Sequence, residues 1–343
     1  MKSPKSKEND FQQKRESEII DNILNLRESV NSMGRIFVIG GANIDICGAS
    51  IEPLINFDSN PGTISVAFGG VGRNIAEYLS LFGEDVSFVT AFSHDHYGTL
   101  LREDCESLGI DCSSCITTQE YPSSMYMAIL DHDRDMRIAM SDMRILRAFT
   151  PEMLSDVLKR TSKDDIIMID ANLDIRSIHY IAENAECTLA ADPVSVSKSS
   201  RIAAVLERLS VFKPNIYEAE SMSGIKIKDR ESALKALEWF LAKGVKEVII
   251  SMAEKGILLA YDDVRLHFAH RIVEVENATG GGDSFLAAYM SARNSGKKPE
   301  EAVRFAIAAA VSVIERQGSE RRQINRDLIE NSIGQINIKE QNI

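Results

Sequence analysis

Short apolar runs alternate with amphipathic stretches along most of the chain. The first run, from Arg35 to Gly41, is closed by two glycines and reads as a buried strand. Strands that alternate with helices form a parallel sheet covered on both faces, so the pattern predicts an α/β fold. Further strands are predicted at 86–90, 166–170, 188–192, 211–213 and 248–252, and helices at 73–82, 97–108, 151–160, 176–184, 199–209, 230–243, 284–294 and 299–316.

Two segments interrupt this alternation. Residues 44–68 carry spaced apolar residues punctuated by Pro53, Pro61 and Gly62, and residues 123–141 read as two strands joined by a polar turn. Together they predict a small β-sheet at the edge of the α/β core. Such a sheet can act as a lid that excludes water, or it can be a dimerisation surface, because its outer face would otherwise be exposed.

Composition and charge narrow the class of protein. The 343 residues are 44% hydrophobic and 26% charged, with a net charge of −12, which disfavours broad binding to nucleic acid or anionic membranes. Five cysteines without a pairing pattern predict a reducing, cytoplasmic location. Residues 1–33 are predicted to be an extension, either a disordered tail leading into an amphipathic helix, or a remnant of a DNA-binding helix pair or a partner-binding helix. Residues 34–330 form the predicted main domain, and 331–343 a C-terminal tail.

The stretch from Gly280 to Asp283 carries the strongest chemical signal. Three glycines precede an aspartate and an apolar run with helical character. Glycine lets backbone N–H groups approach a ligand, and a helix N-terminus adds unpaired N–H groups and a positive dipole end. The segment therefore predicts either an anion hole with a carboxylate base beside it, or a turn whose aspartate caps the helix.

Polar residues also follow the first strand and a second glycine loop. Gly69 and Gly70 lead into a predicted helix whose first turn carries Asn74. Asn43 and Asp45 come just after the first strand, where no dinucleotide fingerprint is present. Because ligands of open α/β sheets lie beyond the carboxyl ends of the strands, these residues suit hydrogen bonds to substrate hydroxyls.

A third group follows the later strands. Asp170, Asp192 and Lys213 each end a predicted strand and so fall on the ligand edge of the sheet. Asn215 and Glu218 stand three residues apart on one predicted helical turn. Oxygen ligands of this kind can position a hydrated Mg²⁺, although the same spacing is also typical of a helix capping box.

These motifs, in this order, resemble the ribokinase-like (PfkB) family of sugar and nucleoside kinases over about residues 34–325. The resemblance implies a three-layer α/β/α core with a β-sheet lid, and ATP-dependent phosphorylation of an alcohol with Mg²⁺. By this resemblance, Asp283 is the base that activates the hydroxyl, and Asn215 and Glu218 place the metal. The amides of Gly280, Gly281 and Gly282 stabilise the charge on the transferred phosphoryl group. The acceptor would be bound by Asn43, Asp45, Gly69, Gly70, Arg73, Asn74 and Asp142. The nucleotide would be bordered by Asn215, Ser251, Gly256, Asn277 and Thr279.

Within the family, the loop Gly69–Glu77 and the segment Ile138–Met143 are most similar to pseudouridine kinases. The resemblance therefore implies in-line transfer of the γ-phosphate of ATP to the 5′-hydroxyl of pseudouridine. Another nucleoside or a sugar such as ribose or fructose is the alternative acceptor. A sugar-binding regulator with weak catalysis is a third hypothesis.

Three further expectations come from individual positions. Asn277 replaces an aspartate that helps many family members to hold a monovalent cation, which argues against K⁺ activation here. Arg73 is expected to contact a base or phosphate, or else to pair with Glu77 one helical turn later. Asp142 ends a lid strand, where it would reach the substrate or lie in a solvated turn. A homodimer through the lid sheet is the expected assembly, with no nucleic-acid or membrane partner.

Overall fold

A nine-stranded sheet forms the centre of the protein in the computed structural model, which describes residues 33–270, 280–316 and 318–343. Its strands are β1 (Ile36–Ile39), β4 (Val86–Val89), β9 (Ile166–Asp170), β10 (Thr188–Asp192), β11 (Val211–Phe212), β12 (Glu247–Ser251), β13 (Ile257–Tyr261), β14 (Val264–Ala269) and β15 (Lys339–Asn342). They lie in the order β15-β14-β13-β12-β11-β10-β9-β1-β4. The pairs from β4 through to β12 are parallel, and the last three strands are antiparallel.

Helices cover both faces of this sheet. Because side chains alternate across a strand, Ile36 and Val38 of β1 pack into one hydrophobic core, and Phe37 and Ile39 pack into another. All four are essentially inaccessible to solvent. The helices are α1 (Val71–Leu81), α2 (His96–Ser107), α3 (Pro151–Leu158), α4 (Ile175–Asn184), α5 (Val196–Ala203), α6 (Ile216–Ser223), α7 (Arg230–Ala242), α8 (Gly281–Asn294), α9 (Pro299–Ile314) and α10 (Arg326–Ser332). The predicted three-layer α/β fold is confirmed.

The helices divide between the two cores. Helices α1, α8 and α9 contribute to the core that contains Val38, whereas α3, α4 and α7 contribute to the one that contains Phe37. Burying one such apolar side chain stabilises the fold by about 1.5–3 kcal/mol, so each layer is held mainly by its apolar stripe. Within the described residues, no helix combines the length and apolar character that crossing a membrane requires.

A separate four-stranded sheet, the predicted lid, lies at the places where the alternation breaks. It comprises β2 (Asn43–Ser50), β3 (Gly62–Gly69), β7 (Met125–Leu130) and β8 (Met136–Asp142), in the order β3-β2-β7-β8. Asn43 and Asp45 lie on one face of β2, and Ile44 and Ile46 lie on the other. The apolar face continues across the neighbouring strands and is exposed at Ile64, Val66, Met127, Ile138 and Met140.

Several elements differ from their sequence-based predictions. The sequence patterns do not predict the antiparallel strands β13 and β14, or the two-stranded sheet of β5 (Ala91–Ser93) and β6 (Ile116–Thr118). Residues 339–342, predicted as part of a tail, pair with β14 and extend the central sheet. Every element named here belongs to one compact unit, Arg35–Ile343. The predicted helix in the N-terminal extension lies outside the described residues.

Candidate active site

The first turn of α8 presents the predicted anion hole and carboxylate. Gly280 is the N-cap residue and adopts a left-handed conformation with φ of 86°, which glycine tolerates without strain. The helix starts at Gly281, so amide groups of its first turn have no intrahelical acceptor. Asp283 stands in this turn, partly exposed, and its Oδ2 accepts a 2.8 Å hydrogen bond from Nδ2 of Asn74. The two glycine motifs, separated by about 200 residues in the chain, therefore meet at one carboxylate.

The electrostatic surroundings of Asp283 suit a base. Burial raises the pKa of its carboxyl from 3.8 to about 7, and the nearby charge of Asp192 acts in the same direction. The hydrogen bond from Asn74 and the charge of Lys213 oppose this rise. A carboxyl with a pKa near neutrality can take a proton from an alcohol and release it again at physiological pH.

Lys213 brings a buried positive charge to the same place. It follows β11, and its ammonium Nζ lies 3.3 Å from Oδ2 of Asp192. A Cβ added to Gly282 would lie 3.6 Å from that Nζ, so the ammonium borders the anion hole. Burial favours the neutral amine, but Asp192, Glu218 and Asp283 outweigh it, and the pKa of Lys213 is raised. The sequence placed Lys213 at the ligand edge without assigning it a role in the site.

Asn215 and Glu218 form the capping box that the sequence offered as one of two interpretations. The Glu218 N–H donates to Oδ1 of Asn215 at 3.0 Å, and the Asn215 N–H donates to Oε2 of Glu218 at 2.8 Å. Burial and the charge of Asp192 raise the pKa of the Glu218 carboxyl. The box occupies one oxygen of Glu218. The carboxylates of Glu218 and Asp192 are both buried and repel each other. Together with the amide oxygen of Asn215 they form a set of oxygen donors that a hydrated Mg²⁺ fits.

The residues expected near the nucleotide lie beside this box. Asn215 forms a parallel bridge with Ser251 at the end of β12, and the Ser251 N–H donates to the carbonyl of Pro214 at 3.0 Å. Gly256 follows the single 3₁₀ turn Ala253–Lys255. Asn277 and Thr279 lie outside the described residues.

The substrate-side loops are assembled around β2. Asn43 and Gly69 are paired across β2 and β3, and the Asn43 amide donates to Oδ1 of Asp45. Burial raises the pKa of the Asp45 carboxyl, while the bond from Asn43 opposes this. Gly70 has φ of 101°, and a side chain there would collide with the backbone of Ala42. Asn43, Asp45 and Gly69 share the polar face of the four-stranded sheet.

Asp170, the last residue of β9, ties these loops together. Its Oδ2 accepts from the N–H groups of Gly41 and Gly72, and its Oδ1 accepts from the N–H of Asn172, each at 2.8 Å. The side chain is essentially inaccessible to solvent, and burial raises its pKa. The sequence marked Asp170 as a strand end, but only the fold shows that it holds both glycine loops.

Two predicted substrate residues have partners of their own. Arg73 is 2% exposed, and its guanidinium forms ion pairs with Glu77 at 2.9 Å and Asp104 at 2.6 Å. Of the two roles left open by the sequence, the pairing with Glu77 is present. Asp142 forms an ion pair with Arg144 at 2.6 Å and borders a depression of about 300 Å³ on the lid, which is otherwise lined by Met125, Met127, Met140 and Ser141.

Sequence reasoning also missed two residues beside the anion hole. A Cβ added to Gly280 would lie 3.1 Å from the hydroxyl of Tyr78 and 3.6 Å from Nη1 of Arg321. Burial raises the pKa of Tyr78 to about 12, so its hydroxyl remains protonated at neutral pH and can donate a hydrogen bond. Tyr78 stands on α1, within the second glycine-rich block but without a role assigned from sequence, and Arg321 is about 240 positions further along the chain.

Residues 33–324 match the family described as pfkB family carbohydrate kinase. The chain belongs to this family. As a pfkB kinase it is 34% identical over 275 residues to the pseudouridine kinase of Escherichia coli strain K12, across 79% of this chain and 87% of that protein. It is 28% identical over 290 residues to the guanosine-inosine kinase of Exiguobacterium acetylicum, across 82% and 95%. The crystal structure of Thermotoga maritima ribokinase is similar with a TM-score of 0.78 and 27% identity, across 88% of this chain and 99% of that one.

Membership of the pfkB family establishes the class of reaction. The protein is a sugar or nucleoside kinase, a phosphotransferase that acts with ATP on a small molecule. The predicted family and the ribokinase-like fold are thereby confirmed.

Proposed function

We propose that this pfkB kinase transfers the γ-phosphoryl group of ATP to the 5′-hydroxyl of pseudouridine. The contact between Asn74 and Asp283 carries the proposal, because it joins the acceptor-side glycine loop to the carboxylate beside the anion hole. The choice of nucleoside is supported by the sequence of the loop Gly69–Glu77 and by the 34% identity to a pseudouridine kinase.

The mechanism follows from which groups can act where the phosphoryl group passes. Asp283 takes the proton of the 5′-hydroxyl as that oxygen attacks the γ-phosphorus in line with the leaving ADP oxygen. The N–H groups of Gly281 and Gly282 and the ammonium of Lys213 stabilise the charge on the transferred group. Mg²⁺, held by Asn215 and Glu218, would neutralise phosphate charge when bound. The proton leaves Asp283 to solvent after transfer.

Binding of the two substrates is divided along the sheet edge. On the acceptor side of this proposal, Asn43 and Asp45 hydrogen-bond the ribose hydroxyls. Asn74 stands between these two residues and the catalytic carboxylate of Asp283. On the nucleotide side, Ser251 and Gly256 stand beside Asn215 and border ATP in this proposal. The lid sheet, whose polar face carries Asn43 and Asp45, would exclude water from the reacting atoms.

A coupled ADP-release assay across a panel of acceptors tests the substrate. The panel contains pseudouridine, uridine, inosine, guanosine, adenosine, ribose and fructose, each at saturating ATP and Mg²⁺. Pseudouridine is expected to give the highest kcat/KM. Preference for inosine or guanosine would replace the proposed acceptor with a purine nucleoside, and no turnover of any acceptor would favour a sugar-binding regulator.

Two variants test the role of the base. Asp283→Asn keeps the shape of the side chain but cannot accept a proton, so kcat should fall about 10²–10⁴-fold. Asp156→Asn, which changes an exposed carboxylate on α3, is the matched control and should leave kcat unaltered. In the parental chain kcat should fall about tenfold per pH unit below about pH 7, because the base must be ionised. If Asp283→Asn retained more than ~1% of parental activity, the assignment of the base would be wrong.

We also infer that the apolar face of the lid sheet is the interface of a homodimer. Ile64, Val66, Ile138 and Met140 share this face and are 78%, 54%, 58% and 67% exposed. A second copy of the same face would supply matching apolar surface, as in an isologous two-fold interface.

Sedimentation analysis of a lid variant tests this assembly. The double change Val66→Lys, Met140→Lys should convert a dimeric parental protein to a monomer, because it buries charges at the centre of the interface. Ile175→Lys is the control, since Ile175 is a comparably exposed apolar residue, 48% accessible, on the core helix α4. A monomeric parental chain, or a lid variant that stays dimeric, would contradict the inference.

A further inference from the structure

A line of polar contacts leads from the protein surface to the catalytic carboxylate. The guanidinium Nη1 of Arg73 donates to Oδ1 of Asn74 at 3.1 Å, and Nδ2 of the same amide donates to Oδ2 of Asp283 at 2.8 Å. The amide oxygen of Asn74 therefore accepts from a cation, and its NH₂ group donates to an anion.

The orientation of this amide decides whether it supports the base. Asn74 presents either its NH₂ group or its oxygen to Asp283, depending on rotation about its terminal bond. With the oxygen inward, two acceptors would face each other and the carboxylate would lose its donor. Arg73 removes this alternative, because its guanidinium has only donors and accepts no hydrogen bond from an amide. Because Arg73 holds the oxygen of the Asn74 amide, the NH₂ group of that amide faces Asp283.

Arg73 is itself held rigidly. Nη2 bonds Asp104 on α2 at 2.6 Å, Nη1 lies 2.9 Å from Glu77, and the guanidinium packs over the ring of Phe68 at 5.7 Å. Arg322 bonds the same two carboxylates from the outside, at 2.7 Å and 2.8 Å. The Nε of Arg73 has no hydrogen-bond partner among the described residues. The guanidinium is therefore held through Nη1, Nη2 and its contact with the Phe68 ring.

We propose that Arg73 is a positioning residue, which acts through Asn74 to keep a hydrogen-bond donor aimed at the base Asp283. This role rests on the kinase function proposed above and differs from a direct contact between Arg73 and the substrate. The other groups that face Asp283 are Asp192, Lys213, Asp170 and Tyr78, on four separate elements. None of them contacts the Asn74 amide through a described hydrogen bond, so the orientation of that amide depends on Arg73 rather than on them.

Steady-state kinetics of Arg73 variants test the proposal. Arg73→Met removes both donors at similar length, and Arg73→Lys keeps a charge for Asp104 but has one nitrogen where Arg73 uses two. Both should lower kcat about tenfold with less than about a threefold change in the acceptor KM, because the base is misplaced while binding persists. Loss of the donor also raises the pKa of Asp283 above about 7, so the acid limb of the kcat profile should move to higher pH.

Three further variants separate this role from simple support of the helix. Glu77→Gln breaks the ion pair with Arg73 and leaves the contact with Asn74, so its acid limb should coincide with the parental one. Asn74→Ala should lower kcat at least as much as Arg73→Met, and the double variant should differ from Asn74→Ala by no more than about twofold, since both changes interrupt one contact line.

Specific outcomes would overturn the role of Arg73. These are an unshifted acid limb in both Arg73 variants, an equal shift in Glu77→Gln, or multiplicative losses of kcat in the double variant. All proteins are compared on whichever acceptor the parental chain turns over fastest. A different acceptor would therefore refute the proposed substrate and leave the test of Arg73 intact.

Discussion

Replacing Asp283 with asparagine should stabilise the folded protein while it lowers kcat about 10²–10⁴-fold. In the folded state the carboxylate is partly buried near Asp192, and its pKa is raised from 3.8 to about 7. The ionised form is therefore less favourable in the folded than in the unfolded chain. Asparagine keeps an oxygen that can accept the bond from Asn74 and carries no charge.

The size of the effect follows from the pKa difference. At about 1.4 kcal/mol per pKa unit, a rise from 3.8 to about 7 corresponds to about 4 kcal/mol as an upper bound. Because Asp283 is partly exposed to solvent, about 2 kcal/mol is a more realistic gain. The size of this penalty depends on pH. The penalty is complete above about pH 7, where both states are ionised, and it disappears below about pH 4, where both are protonated.

Urea unfolding at pH 8 and pH 5, without ATP or Mg²⁺, measures this difference. Asp283→Asn should increase the free energy of unfolding by about 2 kcal/mol at pH 8 and by about a third of that at pH 5. Asp156→Asn controls for the loss of a surface charge and should be near neutral at both. A gain that is equal at the two pH values, or a loss at pH 8, would refute the reasoning that burial of this charge costs stability.

Three further outcomes are expected. Lys213→Met should reduce kcat about 10²-fold in ADP-release assays, because a buried cation beside the anion hole is lost; a change below threefold would remove Lys213 from the mechanism. Asp170→Asn should raise the KM for the nucleoside about tenfold or more, with less effect on the KM for ATP. The reason is that the single side-chain oxygen of asparagine cannot accept hydrogen bonds from the N–H groups of Gly41, Gly72 and Asn172 together, as the two oxygens of Asp170 do. Replacing K⁺ with Na⁺ or a bulky organic cation should alter activity less than twofold because of Asn277, and strong K⁺ activation would contradict this.

Local sequence patterns were sufficient for most of the architecture. Buried strands such as β1 and β9 need unbroken apolar runs, and the helices need apolar residues at a period of 3.6, so both are visible in a short window. Strand β15, with the sequence Lys-Glu-Gln-Asn, has no apolar signal. It forms because β14 offers it a free edge, and that edge is created by residues about 70 positions earlier.

In the candidate site, too, some features depend only on immediate neighbours in the sequence. The glycines before Asp283, and the pair Asn215 and Glu218, were identified from sequence because backbone approach and helix capping depend on immediate neighbours. The pairing of Arg73 with Glu77 also follows from helical spacing, although the sequence alone left a substrate contact equally open.

The amino-acid sequence by itself determined most of the buried strands and the helices, the glycine turns and the carboxylate placed at a helix start, because each depends on residues within one or two turns. The tertiary structure decided what that carboxylate faces. Asn74 reaches Asp283, Lys213 reaches the anion hole, and Asp170 joins two glycine loops only because parallel strands bring their carboxyl ends to one edge. The pKa of a buried group is set by charges and donors from several elements at once, and no local pattern specifies how those elements pack.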